Sequence, residues 1–188
     1  HNAAARFIYV VRNPFDCAVS FYHHTRGFVK HYDFADGTFD DYFECFVNGD
    51  VDFGDYFENV LSWFAHIDDE NFLLVTYEQM SVDSAGAAKI VGEFLGGQAS
   101  EAVNDASTLA KIVQHSSFEN MAKDQQRWSG KRPDGMPSFV RKGVVGDWLN
   151  HFSPAHTRRM LARIDTTPGA VALARLWPDV MAVARAQV

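Results

Sequence analysis

The stretch Arg6–Phe7–Ile8–Tyr9–Val10–Val11–Arg12–Asn13–Pro14–Phe15–Asp16–Cys17–Ala18–Val19–Ser20 constrains the fold more than any other part of the chain. Phe7 to Val11 are β-branched or aromatic with no polar alternation, the pattern of a short strand buried on both faces. Asn13 suits an N-cap and Pro14 the first helical position, so a helix opens two residues after Arg12. Asp16 adds a carboxylate that favours the positive end of that helix. A cation at the carboxyl end of a parallel strand, facing a helix amino terminus, is how an α/β sheet holds a phosphate. Ser20, eight residues beyond Arg12, can donate a second hydrogen bond if the anion lies along the helix rather than at its tip. The plainer alternative is that Arg12 pairs with a carboxylate and Ser20 is an ordinary helix hydroxyl.

A chain of 188 residues with 47% hydrophobic content is long enough for one domain with a real core. Seventeen basic against twenty-four acidic residues, net −7, leave no nucleic-acid footprint, although a local basic pocket for one small anion is compatible with that sign. The two cysteines, Cys17 and Cys45, form neither a metal-ligand spacing nor a disulfide framework, which favours a reducing compartment. No apolar run approaches the roughly 20 residues a membrane-spanning helix needs. The cytoplasm is the expected compartment. The chain opens on His1 and runs almost directly into a buried strand, so we expect a fragment or an incomplete gene product, with further strands upstream.

Helical spacing of Phe15, Val19 and Tyr22 predicts a helix from Pro14 to about Thr25, followed by a loop around Gly27 to Gly37. Thr38–Phe39–Asp40–Asp41 resembles a capping box and opens a helix with Phe39, Tyr42, Phe43 and Phe46 on one face. Asn48–Gly49 to Gly54 reads as a turn, and Phe57, Val60, Leu61 and Phe64 as a further helix. Phe72 to Thr76 is the second buried strand. Ser84 is expected to cap a helix with Ala87, Ile90, Val91 and Phe94 inward, ended by Gly96–Gly97. Asp105 or Ser107 opens another helix through Val113, and Ser117 a short one through Lys123. Gln125 to Pro137 reads as a polar loop, and Ser153–Pro154 starts a last helix carrying Met160, Leu161 and Ile164. Helices around two buried strands imply an α/β layer arrangement.

Three further blocks carry chemistry. In Leu73–Leu74–Val75–Thr76–Tyr77–Glu78–Gln79–Met80, Tyr77 stands at a strand end where an aromatic ring can pack on a purine. In Ile112–Val113–Gln114–His115–Ser116–Ser117–Phe118–Glu119–Asn120–Met121, Phe118 and Met121 can share a helical face against a flat base. The bland readings are a core-edge tyrosine, core residues, and a helix cap at Ser117. In Phe139–Val140–Arg141–Lys142–Gly143–Val144–Val145–Gly146–Asp147–Trp148, two adjacent cations and a glycine that admits backbone N–H groups make an anion nest, although a lone Arg-Lys-Gly is normally solvated.

Together with Tyr9 to Ser20, these blocks occur in the order found in the cytosolic sulfotransferases, and the chain resembles that family over roughly residues 6 to 160. The resemblance implies a carboxyl-terminal portion of a P-loop-like, parallel-sheet α/β sulfotransferase fold, helix-rich with few strands, as a single incomplete domain over residues 1–188. It implies transfer of a sulfuryl group from 3′-phosphoadenosine 5′-phosphosulfate (PAPS) to a hydroxyl or amine of a small acceptor, leaving 3′-phosphoadenosine 5′-phosphate (PAP), with no metal. It places Arg12, Ser20, Arg141, Lys142 and Gly143 on the 3′-phosphate, and Tyr77, Ser116, Ser117, Phe118 and Met121 beside the adenine. The aromatic helix faces between Phe39 and Phe64 resemble a family region near the acceptor site, although most of those side chains are expected to be ordinary core.

The family's phosphosulfate-binding loop, its lysine and its histidine base are not found in these 188 residues, and His1 stands too near Arg12 to match that histidine. We therefore expect no turnover from this chain alone. The family's dimerisation motif falls on Leu149, Ser153, Pro154 and Arg158, with both charged positions lost, so that dimer mode is not expected. The alternative reading is a non-catalytic nucleotide-binding or interaction protein derived from the same fold. A P-loop kinase relative has less support, because Gly130–Lys131 is followed by Arg132 and lacks the preceding glycine of a Walker loop. Asn48, Asp50 and Asp52 sketch a calcium loop but Phe53 stands where it needs glycine, and His23–His24 diverge on a helix.

Overall fold

The computed structural model describes residues 4–129, 132 and 134–188. Gly130, Lys131 and Pro133, in the expected polar loop, lie outside the described residues, as does His1. In chain order the elements are β1 Phe7–Val11, α1 Pro14–Gly27, α2 Phe39–Asn48, α3 Tyr56–Phe64, β2 Phe72–Thr76, α4 Tyr77–Val82, α5 Ser84–Leu95 and α6 Gly97–Asn104. They continue with α7 Ala106–Ser116, α8 Phe118–Ala122, α9 Gln125–Trp128, a 3₁₀ turn Asp147–Asn150, α10 Pro154–Thr166, α11 Ala170–Ala174 and α12 Pro178–Ala186. This is the helix-rich α/β arrangement with few strands that the sequence predicts. The described residues group into two compact units, residues up to Val11 with Ile67–Val145, and Arg12–His66 with Gly146–Val188.

The first unit contains the sheet. β1 and β2 pair in parallel, in register from Phe7 opposite Phe72 to Val11 opposite Thr76, and the Tyr9 and Phe72 rings stack with centroids 6.4 Å apart. Asn71 extends the pairing: its carbonyl accepts from the Phe7 N–H at 2.8 Å, and its amide donates to the Ala5 carbonyl at 2.7 Å. β1 is not buried on both faces as expected: Ile8 and Val10 are 37% and 53% exposed. An unbroken apolar run makes both faces compatible with burial without supplying a cover for each.

Thr76 ends β2 and caps α4 at once, its hydroxyl accepting from the Gln79 N–H while the Gln79 side chain accepts from the Thr76 N–H. Asp83, not the expected Ser84, caps α5; its carboxylate accepts from the Gly86 N–H at 2.8 Å, leaving Ser84 as the first helical residue. Ile90 is half exposed rather than inward. The buried face instead runs through Ala87 and Gly92, where a Cβ would meet Val103 of α6 at 2.5 Å. Leu74, Val82, Ala87 and Ile90 border an apolar cavity of about 530 Å³ between β2, α4 and α5. Gly96 ends α5 as expected, but Gly97 opens α6 without a loop. Asp105 caps α7, and its carboxyl is held below the ordinary range by the Thr108 hydroxyl and N–H. The expected loop after Gln125 begins with one helical turn, α9, capped by Asp124.

The second unit holds a continuous aromatic and aliphatic core. Its inward side chains are Phe15, Ala18, Val19 and Tyr22 from α1, Tyr42, Phe43, Phe46 and Val47 from α2, Phe57 from α3, Trp148, Phe152, and Met160, Leu161 and Ile164 from α10. Phe15 packs on Trp148 with ring centroids 4.7 Å apart, and Trp148 meets Phe152 edge-on at 5.6 Å. Thr38 caps α2: its hydroxyl accepts from the Asp41 N–H at 3.2 Å and donates to the Asp41 carboxylate at 2.7 Å. α10 starts at Ser153–Pro154 as predicted but is not last. Gly169, at φ +84, turns the chain into α11, and Pro178 opens α12, whose Met181 and Ala184 join the core.

Candidate functional site

In the second unit, Arg12 and Ser20 line one cavity of about 230 Å³ together with Cys17, Phe21, His24 and Phe53. Cys17, Ser20, Phe21 and His24 recur at the spacing of one helical face, so the cavity runs along α1 from Arg12, which precedes it. The helix tip itself is already engaged. The Asn13 carboxamide accepts from the Asp16 N–H at 2.9 Å and donates to the Asp16 carboxylate at 3.0 Å. Asp16, 1% exposed, also accepts from the N–H groups of Gly146 and Trp148, at 2.8 and 3.0 Å. The open space therefore lies beside α1, where Ser20 stands, and not at its end.

Arg12 combines both readings of the sequence. A guanidinium nitrogen lies 3.9 Å from the Asp16 carboxylate, while its side chain borders the cavity. The Tyr56 hydroxyl donates to the Arg12 carbonyl at 2.6 Å and holds the backbone. With this pairing the Arg12 side chain still borders the cavity.

In the first unit the predicted residues lie on α4, α7, α8 and the segment after Phe139. Tyr77 is half-buried and begins α4 directly after the Thr76 cap, rather than extending a strand. The Ser116 hydroxyl donates to the Ile112 carbonyl at 2.8 Å. That of Ser117 donates to the Gln114 carbonyl at 2.9 Å and accepts from the Asn120 N–H at 3.2 Å, capping α8. Ser117 keeps one acceptor lone pair beyond these bonds. Met121 is half-buried on α8, and its carbonyl accepts from the Trp128 indole at 3.1 Å.

Phe118 and Gly143 are brought together. Gly143 has φ +64, and a Cβ built there would lie 2.4 Å from the Phe118 ring. Only glycine fits under that ring in that conformation. Arg141 is half-buried, and Lys142 is exposed. The Gln125 carboxamide fastens the residue before them, accepting from the Val140 N–H at 2.9 Å and donating to its carbonyl at 3.2 Å. Sequence reasoning did not find Gln125, nor Phe21, His24 and Phe53 as cavity residues. A contact across fifteen residues leaves no periodic trace, and Phe53 sits in a turn that reads as a solvated acidic face.

His23 and His24 do diverge: His23 packs beside His151, and His24 stacks on Phe28. No cluster of metal-ligating side chains occurs among the described residues. No helix among them is long and apolar enough to cross a membrane.

A parallel strand pair among many helices is an α/β arrangement. The chain belongs to the sulfotransferase family: the family model described as "Sulfotransferase domain" matches residues 1–170. Human sulfotransferase 1C2 is 38% identical over 159 residues, covering 82% of this chain and 51% of that protein. The crystal structure of mouse sulfotransferase SULT7A1 complexed with PAP superposes with TM-score 0.76 at 33% identity, covering 92% of this chain and 61% of that one. Retinol dehydratase in complex with androsterone and inactive cofactor PAP superposes with TM-score 0.72 at 28% identity, covering 87% and 48%. The chain thus spans about half the length of the curated relatives it matches.

Proposed function

We propose that these residues form the 3′-phosphoadenosine-binding part of one sulfotransferase domain, which transfers a sulfuryl group from PAPS to a hydroxyl or amine of a small acceptor. Arg12 and Ser20, with Arg141, Lys142 and Gly143, bind the 3′-phosphate. Tyr77, Ser116, Ser117, Phe118 and Met121 border the adenine. In the reaction the bond from sulfur to the bridging phosphate oxygen breaks, a bond from sulfur to the acceptor atom forms, and the acceptor proton passes to a base. Charge then develops on the leaving phosphate, so positioning and fixed cations supply the catalysis. No residue among these 188 matches the family's base or its leaving-group lysine, and we expect PAP binding without turnover from them alone.

The observation that carries this reading is the cavity shared by Arg12 and Ser20, with Asp16 orienting the guanidinium. It is supported by family membership and by the PAP named in the matched structures. Calorimetric titration with PAP tests it. Arg12→Ala removes a charged hydrogen-bonded contact worth ~1.5–3 kcal/mol, so affinity should fall roughly tenfold to a hundredfold. Equal affinity of variant and parent overturns the assignment.

A further inference from the structure

We infer that Tyr32 and Asp52 form a latch that holds the Phe53 ring at the rim of the cavity lined by Arg12, Cys17 and Ser20, and that this ring governs access to the cavity. Only the identity of the occupant rests on the proposed function.

Phe53 is the one non-glycine residue with positive φ, +69, among the described residues, and it is 82% exposed. Both properties work against it. A side chain in the left-handed region is strained, and an exposed phenyl ring recovers nothing through burial. Gly54 follows at φ +76, so the turn already uses the residue type that such a backbone prefers. A phenylalanine kept at this position is explained by what its ring borders, and it borders the cavity. Its centroid lies 6.3 Å from that of Phe21, which lines the same space.

Two bonds through one carboxylate fasten this arrangement. One Asp52 oxygen accepts from the Phe53 N–H at 3.1 Å, and the other accepts from the Tyr32 hydroxyl. Tyr32 comes from the segment between α1 and α2, with its ring 6.3 Å from that of His24 on the cavity wall. The bond to a charged carboxylate, aided by slight burial, raises the Tyr32 phenol above its ordinary value. Tyr32 thus ties a second segment to the turn, making it a positioning residue for Phe53.

Cys17 serves as a reporter, because it lines the cavity and Cys45→Ser leaves it the sole thiol of the chain. The rate of alkylation by iodoacetamide is measured in that background. Tyr32→Phe, Asp52→Ala and Phe53→Gly should each accelerate labelling by about threefold or more, the population shift expected from one lost hydrogen bond or its equivalent. Phe53→Gly should also melt no lower than the parent, since glycine relieves the strain, which separates loss of the ring from loss of fold. Phe53→Tyr should restore the parent rate. Unchanged labelling in Tyr32→Phe and Asp52→Ala overturns the latch. PAP is added in a separate arm: failure to slow labelling overturns the nucleotide reading, while the variant rates still decide the latch.

Discussion

Ser20 stands on α1, and Arg12 two residues before it; the inner face of that helix, Phe15, Ala18 and Val19, is almost wholly buried among rings from α2, Trp148 and Phe152. Phe118, Arg141, Lys142 and Gly143 stand on a five-residue helix and an irregular segment, in a unit whose buried apolar side chains are Val11, Phe72, Val75, Ala87 and Val103 among the described residues. The first set is held by a core. The second is held by particular local bonds: the Ser117 cap, the Gln125 clamp on Val140, and the Phe118 ring over Gly143. Elements with little buried surface open most readily. The first set is therefore expected to stay in place when the second opens.

The largest test of this contrast is a pair of aromatic truncations. Trp148→Ala empties a position 1% exposed, in contact with Phe15 and Phe152, and should cost ~3–5 kcal/mol. Phe118→Ala removes a half-buried ring, and should cost clearly less while weakening PAP binding. Urea unfolding measures the first effect and calorimetry the second. Equal stability losses would break the comparison.

Next in size is Gly143→Ala. The positive φ and the Phe118 ring at 2.4 Å leave no room for a methyl group, and strain of this kind costs about 1–3 kcal/mol. We expect it to appear as weaker PAP binding and as faster amide exchange in α8, with exchange in α1 unchanged. A uniform rise in exchange across both helices would show that the Phe118–Gly143 contact is not local.

Alkaline pH probes the dense core from the other side. Burial pushes the Tyr42 phenol far above its ordinary value, so its folded-state pKa is raised above that of the unfolded chain, about 10. Its contribution is fully present below pH ~10 and is lost as pH rises beyond, by about 1.4 kcal/mol per unit. Thermal melts between pH 8 and 11 should fall more steeply for the parent than for Tyr42→Phe. Parallel curves would mean that Tyr42 reaches solvent before unfolding.

Much of this was legible in the sequence, for physical reasons that also mark where legibility ends. β1 and β2 occupy the predicted residues because uninterrupted Phe, Ile, Val, Leu and Tyr runs have few other uses. Asn13, Thr38, Asp105, Ser117 and Ser153 cap where expected, since capping is a bond between a side chain and N–H groups two or three residues on. Local chemistry can be read locally. Asp16 looked like a dipole partner of its own helix, but its main service is to N–H groups 130 and 132 residues away. The bare face of Ile8 and Val10, the Gln125 clamp and the strained Phe53 depend equally on what the chain meets in space. The same limit applies to the site, where motifs name the residue types and packing decides which atoms remain to meet a ligand.

The smallest effect gives the sharpest comparison, because each unit contains the same device. Thr76 and Gln79 form a reciprocal capping box on α4, and Ser153 and His156 form one on α10. Alanine at either cap removes about 1 kcal/mol of local stability. α10 is 13 residues long and buries Thr157, Met160, Leu161 and Ile164, so the core holds its first turn in place after the cap is gone. α4 has six residues and none buried, so the cap is a large share of what keeps it helical, and Tyr77 sits in its first turn. Hydrogen exchange should therefore detect fraying of α4 in Thr76→Ala and little change in α10 in Ser153→Ala, despite near-equal losses at the cap. If α10 frays as far as α4, burial is not what separates the two units.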